Sequence, residues 1–195
     1  AKALAKHLNF DYLDTGALYR AVALSLINSG SNLDKIDENQ ALGCVTYFDF
    51  ELIKSQEIRS ELVGVVASKV ATLPSIRDKL LSLQRTFAES PPSGQGAVFD
   101  GRDIGTVVFP NADLKFFVDA NIEVRASRRT NELLNLGQSV MFSQILSDMQ
   151  ARDCRDKTRE VAPLRPADDA IIIDTSDMDA AAVFSLALSF ISLVY

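Results

Sequence analysis

Charged residues collect wherever a short apolar run of this chain ends. Asp14 follows "FDYL", Asp100-Gly101-Arg102-Asp103 follows "AVF", Asp119 follows "KFFV" and Asp174 follows "AIII". In open parallel sheets, ligands bind beyond the carboxyl ends of the strands. Arg102 and Asp103 therefore fall at the rim where such folds do chemistry. In "DTGALYR" (14–20), Thr15 and Gly16 open a helix directly after a strand, so a hydroxyl and free backbone N–H groups face the same rim. Tyr19 and Arg20 come round within a turn of that helix start. An anion held there would meet both the helix terminus and a guanidinium, although an ordinary capped helix with a surface arginine has the same pattern.

Two further segments concentrate arginine. In "RDCRDKTR" (152–159), Arg152, Asp156 and Arg159 fall at i, i+4 and i+7 of a helix, with Arg155 on the same face. A solvated face of ion pairs would read similarly, but arginine in place of lysine offers the flat, bidentate fork suited to phosphate. In "VRASRR" (124–129), Arg125, Arg128 and Arg129 share another face. An acidic protein that gathers this many guanidinium groups near strand ends implies a small polyanionic ligand, and nucleotide phosphates fit that description.

The elements that must position these residues alternate. Segments 10–14, 96–101, 113–120 and 170–174 have the length and β-branched or aromatic content of buried strands. Helical stretches fill 15–29, closed by Gly30, and 61–88, 121–136, 139–153 and 178–194. That alternation predicts an α/β fold, a three-layer parallel sheet with helices on both faces. "YFDFELIKS" (47–55) stands outside the alternation and reads as part of a small insertion, and "LNLGQS" (134–139) as a turn. "AKALAKHL" reads as mid-helix from the first residue, as though the front of an element were missing.

The 195 residues suit one compact domain, and 47% hydrophobic with 24% charged residues is ordinary for a globular protein. A net charge of −6 argues against general affinity for nucleic acid or anionic membranes. Cys44 and Cys154 lack metal-ligand spacing and read as free thiols of a reducing compartment, hence a cytoplasmic location. The lone His7 disfavours a histidine triad or zinc site. The uncharged tail "AAAVFSLALSFISLVY" (180–195) is short of the ~20 residues of a membrane span and reads as a buried terminal helix.

"YLDTGALYR", "ASKVATLPSIRDKLLSLQR", "VFDGRDIGTVVFP" and "RDCRDKTREVAPLRPADDAIIIDTS" together resemble, in order along nearly the whole chain, the signature segments of bacterial cytidylate kinases. The resemblance implies the P-loop nucleoside monophosphate kinase fold, with transfer of the ATP γ-phosphoryl group to CMP or dCMP and with Mg²⁺. By that resemblance Ser68, Arg77 and Asp103 would recognise cytosine. A carboxylate can accept from the exocyclic amine that uracil lacks. Thr15, Tyr19, Arg152 and Asp156 would line the sugar side, and Arg20, Arg102 and Arg159 would hold the acceptor phosphate. Arg125, Arg128, Arg129 and Arg155 would serve the donor phosphates and the lid. The chemical step would then rest on Arg102, Arg159, Arg155 and Arg128, with no metal ligand among the side chains.

The resemblance also sets expectations for organisation. Residues 1–40 and 66–195 would form the core, 41–65 a shortened substrate-binding insertion, and 148–163 a lid. The Gly-rich phosphate loop of the family and the central first strand before it find no match in the chain. Its 195 residues read as part of a longer sequence, and the short insertion as either pared down or lacking residues near Lys54. Two other activities fit fewer residues. A kinase for UMP or AMP is disfavoured by Asp103 with Arg77, and a non-catalytic nucleotide binder by the full set of acceptor-side arginines. A monomer is expected.

Overall fold

The computed structural model describes residues 1–193. It is a parallel α/β protein with helices flanking its strands, as expected, and its strands hydrogen-bond as two separate parallel pairs. In order, the elements are α1 (Lys2–Leu8), β1 (Asp11–Asp14), α2 (Thr15–Asn28), α3 (Glu38–Thr46), α4 (Glu61–Val70), α5 (Pro74–Glu89), β2 (Ala97–Asp100), β3 (Phe116–Asp119), α6 (Ile122–Asn135), α7 (Phe142–Thr158), β4 (Ile171–Asp174) and α8 (Ala180–Ile191). The chain divides into two compact units. One comprises Ala1–Ile104 with Arg159–Ala162, and the other comprises Gly105–Thr158 with the chain from Pro163 onward.

In the first unit β1 pairs with β2 in register, Asp11 against Ala97 through to Asp14 against Asp100. The strand-end acids are thereby brought side by side. Helix α2 is the centre of this unit's core, with Leu18, Val22 and Leu26 fully buried against Val66 and Val70 of α4 and Ile76 and Leu80 of α5. Asp14 caps α2 by accepting from the Ala17 amide at 3.0 Å. Gly30, at φ 71°, turns the chain away in the left-handed conformation that a Cβ disfavours. Segment 47–60 forms no strand but two short 3₁₀ turns, Phe50–Lys54 and Gln56–Arg59.

The helix predicted over 61–88 is two helices. Leu73 takes an extended conformation and Pro74 starts α5 at the first helical position, where its missing N–H costs nothing. Ser60 caps α4 through the Val63 amide.

In the second unit β3 pairs with β4, Phe116 against Ile171 through Asp119 against Asp174. Helices α6 and α7 pack through Ala126, Leu133 and Ile145, joined by Val140, Leu146 and Met149. Three expectations need correction here. The strands are not wholly buried, since Val118 and Ile172 are 57% and 66% exposed; a two-stranded sheet leaves an open edge on each strand. The terminal helix is half-buried, not interior: of its residues only Ala187 and Ile191 are fully enclosed, because an apolar composition all round does not oblige every face to find a partner. It ends at Ile191, and Val194 and Tyr195, the end of the expected tail segment, lie outside the described residues. Finally, α7 runs to Thr158 and stops, so Arg159 is not on the helical face with Arg152 and Asp156. It belongs to the first unit, where its Nε donates to the Ala162 carbonyl at 2.7 Å. No described helix is long and apolar enough to cross a membrane.

Candidate functional site

The first unit brings together four of the residues singled out in the sequence. Arg77, on the first turn of α5, donates Nη2 to Asp103 Oδ2 at 2.5 Å and Nη1 to the Ala71 carbonyl at 3.2 Å. Both partners are buried, their side chains 8% and 10% exposed. Tyr19 projects from α2 into the same electrostatic neighbourhood. Burial pushes its phenol up, and the charges felt there are the Arg77 guanidinium, the Asp103 carboxylate and the Arg159 guanidinium. Residues 19, 77, 103 and 159 come from four places in the chain, and only folding makes them neighbours. Ser68 is buried on α4, and Arg102 is exposed at the end of β2.

Arg20 is held by backbone carbonyls just before α4. Its Nη1 donates to the Ile58 carbonyl at 2.8 Å and to the Ser60 carbonyl at 3.4 Å. The guanidinium lies against Gly64, where an added Cβ would stand 3.1 Å from Nη2. Thr15 is almost fully buried, and its hydroxyl donates to the Asp100 carbonyl at 2.7 Å, tying the start of α2 to the end of β2. Gly101 follows at once. A Cβ there would fall 2.2 Å from Thr15 Oγ1 and 2.8 Å from Ile104 Cδ1, so the turn that carries Arg102 and Asp103 tolerates no side chain.

One residue of this end, Tyr12, escaped the sequence reading. Tyr12 donates to Asp100 Oδ2 at 3.4 Å, and Asp100 stands opposite Asp14 as its register partner. Burial first, and then the Asp14 charge, raise the Asp100 carboxyl above the usual carboxylate range, with the Tyr12 hydrogen bond opposing them. The Tyr12 phenol is raised in turn, by burial and by Asp100. The strand-end aspartates were visible in the sequence, but strand register was not.

The second unit holds the remaining arginines. Arg152 and Asp156, one turn apart on α7, form an ion pair at 3.8 Å, with the Asp156 side chain 6% exposed. Arg155 is exposed on the same helix. On α6 the three arginines diverge instead of sharing one task. Arg125 reaches Asp153 of α7 at 2.6 Å, Arg128 donates to the carbonyls of Thr175 and Met178 at 2.6 and 2.9 Å, and Arg129 pairs with Glu132 at 3.0 Å. Asp153 was not singled out beforehand, because nothing in "RDCRDKTR" says which acid faces a neighbouring helix.

A parallel α/β chain with arginines and a buried Arg–Asp pair beyond its strand ends has the chemistry of an enzyme that handles mononucleotide phosphates. A family model described as cytidylate kinase matches residues 1–192. A cytidylate kinase of Paramagnetospirillum magneticum is 47% identical, over 98% of this chain and 90% of its own. Those of Rhodospirillum rubrum, at 45% with coverages of 98% and 90%, and of Photobacterium profundum, at 44% with 96% and 86%, are similar to it in the same way. The chain belongs to the cytidylate kinase family.

Proposed function

We propose that the protein transfers the γ-phosphoryl group of ATP to CMP or dCMP, giving CDP or dCDP. Family membership across the chain supports the reaction. The observation that carries the substrate choice is the buried Arg77–Asp103 pair beside Tyr19 and Arg159. In this reading Asp103 accepts from the exocyclic amine of cytosine, Arg77 donates to the acceptor edge of the ring, and Ser68 completes the base contact. Tyr19 and Thr15, with Arg152 and Asp156, serve the sugar side. Arg20, Arg102 and Arg159 hold the acceptor phosphate.

Phosphoryl transfer asks the protein mainly for alignment and for charge stabilisation on the transferring group. Guanidinium groups do both without a proton change, since arginine stays charged at any working pH. Arg155 and Arg129 are assigned to the donor phosphates, and Arg128, whose hydrogen bonds fasten the loop after β4, to the donor side. Mg²⁺ would neutralise donor phosphate charge and keep much of its water shell. Among the described residues no group of three or more His, Cys, Asp or Glu side chains could hold the ion by itself, so it would ride on the donor phosphates. A cytoplasmic, monomeric enzyme is part of the same reading, supported by two free cysteines and an acidic composition.

A coupled assay with ATP against CMP, dCMP, UMP and AMP tests the assignment. CMP and dCMP are expected to turn over at least tenfold more efficiently than UMP or AMP, and Asp103→Asn is expected to erode the preference of CMP over UMP. Equal use of all four, or an unchanged preference in Asp103→Asn, would reject these roles.

A further inference from the structure

We infer that Arg125 and Asp153 form a positioning pair, which fixes the charged end of α7, and that Arg125 is not a phosphate ligand. The inference rests on the kinase reading for its effect on turnover, but its geometry lies entirely within the second unit.

Helices α6 and α7 are joined by apolar packing that reaches along α7 only as far as Met149. Beyond it come "QARDCRDKT", residues with no large apolar side chain to anchor the helix. At that point Arg125 Nη2 donates to Asp153 Oδ2 at 2.6 Å, with side-chain exposures of 25% and 15%. The other end of the guanidinium is fastened to the strand end, Nε donating to the Ala120 carbonyl at 2.8 Å and lying 3.9 Å from Asp119 Oδ1. Arg125 therefore spans from the end of β3 to α7. A partly desolvated charge pair with these added hydrogen bonds has a definite geometry, unlike an exposed i,i+4 pair.

The consequence is rotational. Successive residues of an α-helix are about 100° apart, so pinning residue 153 sets the direction of residues 152, 155 and 156. Arg152, Arg155 and Asp156 are the residues to which the kinase reading gives the sugar and the donor phosphates. A slip of one position would carry each of them roughly a quarter-turn away. Asp153 touches no substrate in this scheme and acts through its neighbours.

Charge exchange separates a strut from a ligand. Asp153→Asn is expected to lower kcat at least tenfold and to raise KM for CMP several-fold, because Arg152 and Asp156, which the pair orients, are assigned to the sugar of CMP. Asp153→Glu should recover much of the loss. The exchanged pair Arg125→Asp with Asp153→Arg should be several-fold more active than Arg125→Asp alone. Wild-type kcat in Asp153→Asn, or an exchanged pair as inactive as the single variant, would overturn the proposal; the second result would return Arg125 to the phosphates. Should Asp153→Asn fail to fold, the exchange decides. Hydrogen exchange of amides 150–158 gives a readout apart from turnover. Those amides should exchange at least tenfold faster in Asp153→Asn than in wild type, and equal rates would refute the tie. If the wild-type enzyme itself leaves CMP untouched, the kinase reading fails and the exchange measurement still judges the pair.

Discussion

Asp103 gives its carboxylate to Arg77 where neither group meets much water. Removing one partner from such a pair strands the other charge, at a cost of roughly 3–5 kcal/mol, whereas replacing both with apolar side chains costs far less. Asp103→Ala should therefore lower the urea-unfolding free energy by about that amount. Arg77→Met with Asp103→Leu should be much closer to wild type in stability while losing CMP turnover. A double variant as unstable as the single one would show that hydrogen bonds other than the pair dominate. Asp100 makes the opposite kind of prediction. Its folded carboxyl is raised, so the folded state holds its proton over a pH range in which the unfolded chain has released it. Stability from this group is greatest below the unfolded carboxylate range and is lost as pH rises through the raised folded value. Thermal melts should show Asp100→Asn gaining on wild type as pH rises from about 4 to neutrality, the region above the ordinary aspartate range. A pH-independent difference would mean that the carboxyl is not perturbed.

At the scale of elements, the turn after β2 is decided by two atoms. Thr15 Oγ1 holds the Asp100 carbonyl, and the space a Cβ at Gly101 would need is already filled by that hydroxyl. Gly101→Ala should lower Tm by several degrees and displace Arg102 and Asp103, with kcat/KM for CMP falling at least tenfold. Adding Thr15→Ala to Gly101→Ala opens the crowded space, so the two changes should be less damaging together than their separate effects predict. Additive losses would point to backbone strain at Gly101 and away from this contact. The break before α5 belongs to the same scale. Pro74 lies inside the helix expected over 61–88; the structure obeys the proline, and the new helix start is what carries Arg77 toward Asp103.

For the molecule as a whole, the division into two units makes binding measurable in parts. CMP bound without ATP should slow amide exchange chiefly around Tyr19, Arg77 and Asp103, residues of the first unit. It should also raise Tm, since saturation at 100 times Kd stabilises the bound state by about 2.7 kcal/mol. UMP at the same concentration should do much less. Protection confined to the second unit would contradict the assignment of the base site.

The four strands and most of the longer helices, and the acids and arginines at their ends, could be read from local pattern, because strand length, helix periodicity and end signals act over a few residues; α3 and the break between α4 and α5 were not read. The sequence also carried the family, since its motifs recur in order. Which charges meet was beyond it. Arg159 lies past the end of α7 and bonds locally to Ala162, while Arg125 turns to Asp153 and Asp100 faces Asp14 through packing and register between separate segments. A carboxylate's partner is set by distances of a few ångströms that only the folded backbone defines, and tertiary structure alone decided which arginine stands beside Asp103 and which one reaches Asp153.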